Sequence, residues 1–351
     1  MRIGFFSGDL FEFDEGRASV SVPDYPVQGH LLRKLVQRGH EVVLLTRVPS
    51  GTEVPTTFTY DPSGDPREHE LDVLFGDRLG FIGSEWVSTA WQIERYNGPI
   101  VFHQYVPYTG WAPPFVKDTW LLGVERSWTI VNRADDPRGA YQAMVGRNER
   151  VPEGNAVTFA QWEPFLMVEH PWKGRTDPRI PSNGRPYRQG YYGRLPKGER
   201  RSQTVVRYLS QEHWPTVVYG PETSTAWVSE RSHAVDGGRI LHHDLPDALE
   251  TLDFIVQVQV DRLAYRGGLG YRTHRIVECA LAGVFQLFDR SMGIPELREW
   301  EIAGPLQLGG TLLVVGDVTA EVARQREVVL PRADPTKVMD GLEEILVGAT
   351  R

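Results

Sequence analysis

Apolar positions along this chain switch repeatedly between a period of two and a period of three to four. Met1–Ser7 (Met-Arg-Ile-Gly-Phe-Phe-Ser) reads as a strand, and Gln28–Arg38 as a helix with Leu31, Leu32, Leu35 and Val36 on its inner face. Gly39 ends that helix and Glu41–Thr46 returns as a strand. Strand, helix, glycine and strand form a βαβ unit, which commits the N-terminal half to a parallel sheet. Further strands are expected at Val73–Phe75, Phe81–Gly83, Pro99–His103, Trp128–Asn132 and Ala156–Phe159, with helices at Ser88–Arg95 and Pro137–Val145.

From Glu163 to Pro186 the periodicity fades into Pro, Gly, Trp and Arg, the composition of a crossing between domains. Alternation then resumes. Strands are expected at Gln189–Tyr192, Thr216–Tyr219, Asp253–Val260, Val284–Phe288 and Leu312–Val315. Helices fall at Glu199–Leu209, Asp244–Leu252, Thr273–Leu281, Ala320–Gln325 and Thr336–Leu346. The expected fold class is α/β with two doubly wound, Rossmann-like domains, over residues 1–165 and 188–334. A basic crossing at 166–187 joins them, and a helix over 335–351 returns to the first domain. A length of 351 residues suits two cores better than one.

Composition narrows the class. The chain is 40% hydrophobic and 24% charged, as soluble globular proteins are. It shows no apolar run of membrane-spanning length, and its first residues enter a strand directly, so neither a membrane partner nor a signal segment is expected. Cys279 is the single cysteine, which excludes an internal disulfide and a Cys-rich zinc site. A reducing cytoplasm and a monomer are the expectation. The net charge of −8 argues against indiscriminate coating of nucleic acid. Between Pro171 and Arg207, however, ten basic residues face only Asp177 and Glu199, so a polyanion has a place to dock.

Chemistry concentrates at Tyr271–Asp289. A glycine-rich loop (Arg266–Gly270) leads into the helix, Gly283 ends it, and an apolar strand follows. Arg275 and Glu278, three residues apart, share one face near the helix start. That start offers N–H groups and partial positive charge to a phosphate, the Arg adds a bidentate cation, and the Glu can accept both hydroxyls of a ribose. The alternative is an ordinary Arg–Glu pair on a solvated face. In the first domain, the loop Gly8–Tyr25 leaves the carboxyl end of the first strand, where α/β sheets bind ligands, or is a surface loop.

These parts resemble the T-even phage DNA β-glucosyltransferases, a family of GT-B architecture in which two Rossmann-like domains face a central cleft. The resemblance runs in order along most of the chain and is sharpest in its second half. Tyr192-Gly193 followed by Lys197 and Arg201 matches the family's strand end and diphosphate-binding basic loop, although Gly193-Arg194-Leu195 departs from the family's Gly-Gly-Ser. Thr273-His-Arg275-Ile-Val-Glu278 matches its Thr-x-Arg-x-x-Glu nucleotide helix. Pro99-Ile-Val-Phe-His103, with Pro107-Tyr108 beyond, matches the strand that ends in the family's catalytic Asp, here a histidine.

The resemblance implies transfer of a sugar, with UDP-glucose the expected donor, to the hydroxymethyl group of a modified pyrimidine in duplex DNA. The base would be flipped out of the stack and a direct displacement would invert the anomeric centre. Gly193, Lys197, Arg201, Gly220, Arg275 and Glu278 are the donor-site candidates. His103 is the candidate base, chemically suited to the task, with a buried structural histidine as the other reading and Asp9, Asp14 and Glu15 as rival bases. Lys173, Arg175, Arg179, Arg185 and Arg188 could grip a DNA backbone, and Tyr105, Tyr108 and Trp111 could stack on an extruded base. No carboxylate cluster predicts a tight metal site, which leaves room for a loosely held Mg or Mn ion with the diphosphate. Two other readings stand beside this one: a GT-B enzyme acting on a small molecule, lipid or glycan, and a DNA- or nucleotide-sugar-binding protein without turnover.

Overall fold

In the computed structural model the described residues are 1–7, 25–46, 53–77, 95–103, 127–140, 157–163, 187–193, 195, 197–211, 214–240, 244–259, 270, 272–308 and 318–351. They divide into two compact units. One gathers the described residues of 1–13, 25–164 and 336–351, and the other those of 165–335.

Short, nearly continuous apolar runs such as Ile100–His103 and Trp128–Asn132 can be buried on both faces only in a parallel sheet covered by helices. The first unit builds that sheet. Its strands are β1 (Arg2–Ser7), β2 (Glu41–Leu44), β3 (Thr59–Tyr60), β4 (Val73–Asp77), β5 (Ile100–His103), β6 (Trp128–Asn132) and β7 (Val157–Gln161). They lie in the order β3-β2-β1-β4-β5-β6-β7, and every pairing is parallel. Helix α1 (Tyr25–Gln37) buries Leu31, Leu32 and Leu35, the face its spacing predicts, while Val36 is only partly covered. Expected elements at Phe81–Gly83 and Leu312–Val315, most of Ser88–Arg95 and the end of Pro137–Val145 lie outside the described residues, as does 166–186 of the expected crossing.

The second unit repeats the design. Strands β8 (Gln189–Tyr192), β9 (Thr216–Tyr219), β10 (Val235–Asp236), β11 (Phe254–Gln257), β12 (Phe285–Asp289) and β13 (Glu301–Ile302) form a parallel sheet in the order β10-β9-β8-β11-β12-β13. Around it lie α2 (Arg200–Leu209), α3 (Glu222–Ser229), α4 (Leu245–Glu250), α5 (His274–Ala282) and α6 (Val318–Val329). Its core centres on Tyr191, Tyr208, Phe254, Phe285 and Phe288, all essentially inaccessible. The architecture is α/β with two doubly wound parallel sheets.

The last helix, α7 (Pro335–Ala349), packs on the first unit. Arg38 reaches Asp340 at 2.7 Å and Glu343 at 2.8 Å, and His40 Nε2 lies 2.9 Å from Glu343 Oε1. Trp162 Nε1 donates to the Val338 carbonyl at 2.9 Å. These exposed or half-exposed ion pairs contribute little individually; the burial of Val338, Met339, Leu342 and Leu346 holds the helix.

Candidate functional site

The sequence Gln-Gly-Tyr-Tyr-Gly runs two tyrosines to the carboxyl end of β8 and turns the chain at Gly193. Gly193 has φ +117°, a conformation that L side chains rarely adopt. Its N–H still donates to the Tyr219 carbonyl at 2.9 Å, extending the pairing with β9. A Cβ at Gly193 would stand 3.0 Å from Arg275 Nη2, and one at Gly220 only 2.6 Å from the Gly193 carbonyl oxygen. The two glycines thus clear the space in which the turn and the Arg275 guanidinium meet.

Helix α5 supplies that guanidinium. Thr273 precedes it in an extended conformation without capping it through its side chain, and Thr273 Oγ1 has no hydrogen-bond partner among the described residues. The Ile276 N–H of the first turn donates to the Thr273 carbonyl at 3.1 Å, and the positive end of the helix dipole meets the turn at Gly193 only through the Arg275 side chain, whose Nη2 would lie 3.0 Å from a Cβ at Gly193. At the other end Gly283 adopts the left-handed conformation (φ 71°) that closes the helix and sends the chain into β12.

Arg275 lies over the ring of Tyr191, 4.5 Å from its centroid, and 5.2 Å from that of Tyr192. Its Nη1 donates to the Tyr191 hydroxyl at 2.8 Å. One turn on, buried Glu278 accepts the Tyr192 hydroxyl at Oε2, 2.5 Å away. Both charged groups therefore reach across to the end of β8. Burial pushes the Tyr192 phenol well above its ordinary pKa, and Cys279 and Glu278 add to the effect, so this hydroxyl remains a neutral donor. Burial likewise holds the Cys279 thiol protonated and unreactive.

Behind the site three buried glutamines tie the sheet to the helix. Gln257 Nε2 donates to Gln286 Oε1 at 2.8 Å, and Gln286 Nε2 to the Ile276 carbonyl of α5 at 2.9 Å. Gln325 of α6 pairs with both backbone groups of Gln286, at 2.9 and 2.6 Å. Gln286→Leu would strand the Gln257 amide in an apolar interior. We expect it to lower stability by about 1–3 kcal/mol in a denaturant titration.

The structure brings Gly193, Gly220, Arg275 and Glu278 together. Lys197 is exposed in the loop between β8 and α2, beside Gly198 at φ 96°, and Arg201 in the first turn of α2 sits 3.5 Å from Glu199. Arg188 stands at the opposite, amino end of β8, where its backbone N–H donates to Asp253 Oδ2 at 2.7 Å. In the first unit His103 ends β5, is 3% exposed, and meets the ring of Trp162 edge-on at 5.3 Å and 71°. Asp9, Asp14, Glu15, Tyr105, Tyr108, Trp111, Lys173, Arg175, Arg179 and Arg185 lie outside the described residues. Sequence reasoning missed Tyr191 and Tyr192 as partners of the charged pair, although two aromatics ahead of a glycine at a strand end are a visible signal. It also missed Trp162 and the fully buried Arg133, which follow β7 and β6.

No protein-family model matches the sequence, and no curated protein does. Solved structures do. T4 phage β-glucosyltransferase in complex with UDP-glucose aligns with a TM-score of 0.69 at 12% identity, covering 99% of each chain. Sucrose-phosphate synthase from Thermosynechococcus elongatus aligns at 0.64 and 11% identity, over 98% of each chain. HepE of Anabaena in complex with UDP-glucose aligns at 0.62 and 12% identity, over 99% of this chain and 100% of that one. Three proteins so different in sequence, matched end to end through both sheets, establish that this chain has the GT-B glycosyltransferase fold.

Proposed function

We propose that the protein is a DNA glycosyltransferase, moving a sugar from a UDP-sugar, with UDP-glucose the first candidate, to the hydroxymethyl group of a modified pyrimidine in duplex DNA. The observation that carries the donor half is the Arg275–Glu278 pair on α5, tied to Tyr191 and Tyr192 beside the strained turn at Gly193. Arg275 and the positive end of α5 would take the diphosphate, Glu278 the ribose hydroxyls, and Lys197 and Arg201 the charge that grows as the sugar–phosphate bond breaks. The attacking acceptor oxygen would give its proton to His103 as it bonds to the anomeric carbon, and the nucleoside diphosphate would leave with the bonding pair. The basic run from Lys173 to Arg188 supports a DNA acceptor, as does the resemblance in motif order to the phage enzymes. No described helix is long and apolar enough to cross a membrane.

Incubation with UDP-glucose, Mg²⁺ or Mn²⁺, and DNA containing hydroxymethylated or ordinary pyrimidines tests this, with released nucleosides read by mass spectrometry. A hexose added only to the hydroxymethylated base is the expected result. UDP released at one rate with and without DNA would point to a small-molecule or glycan acceptor. UDP binding without any turnover would point to a binding protein.

A further inference from the structure

We infer that Trp162 is a positioning residue for the candidate base, holding the His103 imidazole in one orientation by tying it to the C-terminal helix α7. The inference rests on the reading of His103 as the base and deepens it.

The sheet puts the two rings on one face. His103 is the register partner of Val131, and Val131 of Ala160, so these residues share a face. Trp162 comes two residues after Ala160. Its N–H donates to the Asn132 carbonyl at 2.9 Å, which carries the β6–β7 ladder one step beyond β7 and keeps the alternation. Its side chain therefore returns to the face of His103. Trp162 is 5% exposed and His103 3%, so neither ring has room in solvent to turn.

Three contacts fix the indole. Its Nε1 donates to the Val338 carbonyl of α7 at 2.9 Å. Phe75 meets its ring edge-on, with centroids 6.4 Å apart at 71°. Further along α7, Gly341 passes so near that a Cβ there would stand 3.5 Å from Trp162 Cδ1. Turning the indole would break a hydrogen bond in a place where water cannot replace it. The His103 ring lies edge-on against this fixed surface, with centroids 5.3 Å apart at 71°. Edge-to-face is an arrangement aromatic rings prefer, and it resists rotation of the imidazole out of its plane. A base works only when its nitrogen is aimed at the proton it takes, so an orientation set before substrate arrives contributes to the rate. Helix α7 thereby bears on the chemistry at the end of β5.

The test is a double-mutant cycle on the full chain. Trp162→Phe keeps a ring and removes the N–H bonded to Val338; Trp162→Leu removes the ring as well. With UDP-glucose and hydroxymethylated DNA, kcat should fall about three- to tenfold in Trp162→Phe. In Trp162→Leu it should fall about 10- to 100-fold, while the calorimetric affinity for UDP stays at the wild-type value. In a His103→Asp background, which has no ring to hold, the same substitutions should change kcat by no more than about twofold. Equal losses in both backgrounds, or no loss in either, overturn the inference. A His103→Ala protein with wild-type kcat, or a wild type that transfers no sugar, overturns instead the reading on which it rests. Carbon relaxation of the His103 imidazole reads its order independently of turnover. The order parameter should be about 0.85 in the wild type, as in rigid backbone, and below about 0.6 in Trp162→Leu. Should the leucine variant not fold, Trp162→Phe should give a value between the two. An unchanged order parameter overturns the inference even where His103→Asp is inactive.

Discussion

Arg275→Ala is expected to lower kcat/KM for the nucleotide sugar by about 10²- to 10³-fold, comparable to removing a preorganised donor from a site of developing charge. The guanidinium already lies where it would work. Tyr191 and Tyr192 fix its plane and Gly193 leaves room for its Nη2, so no ordering is needed when the diphosphate arrives. Loss of the side chain removes charge-assisted bonds that strengthen as the leaving group gains charge, which places the effect on kcat as well as KM. Arg275→Lys should recover only part of it, because an ammonium neither stacks on Tyr191 nor presents two parallel donors. The fold should survive, since the stacking contributes only about 0.5–2 kcal/mol. Steady-state kinetics beside a thermal melt checks both halves, and an Arg275→Ala protein with unchanged kcat/KM would remove Arg275 from the site.

How much of this was legible beforehand depends on how local the determining physics is. The run from Thr273 to Asp289 announces its own structure: a glycine-rich loop ahead of it, an apolar stripe, a glycine that ends the helix and a buried strand. The structure places His274–Ala282 and Phe285–Asp289 within a residue of the expected limits. Helix α3 was not expected, because Glu-Thr-Ser-Thr-Ala-Trp-Val-Ser is poor in helix formers and carries no apolar stripe; its surroundings decide its form. Strands β3, β10 and β13 are two residues each, too short to show any period. Gln257, Gln286 and Gln325 carry no signal in sequence that they pair with one another. Only the fold, by pairing them with one another and with backbone, makes them core. The same holds for the site. Arg275 and Glu278 were visible from their spacing, whereas Tyr191 and Tyr192 belong to it through contacts 84 and 86 residues away along the chain.

His103→Ala is expected to lower kcat by about 10²- to 10⁴-fold while leaving UDP affinity unchanged, the range for loss of a general base. Two properties of this residue pull in different directions. Its position at the carboxyl end of β5 is where open α/β sheets place their chemistry, and the resembling family has its catalytic base, an aspartate, there. Its burial and edge-on contact with Trp162 are equally what a core histidine shows. Truncation separates them. A core residue would lower the melting temperature and leave kcat per folded molecule intact; a base would lower kcat however well the protein folds. His103→Asp sharpens the contrast, since it restores a base of the type the resembling family uses. Some activity should return, and the acid limb of the pH–rate profile should move to lower pH, because a carboxylate releases its proton at lower pH than an imidazole. No packing role can produce that displacement, so a pH profile that stays in place assigns His103 to the core and moves the search for the base to Asp9, Asp14 and Glu15.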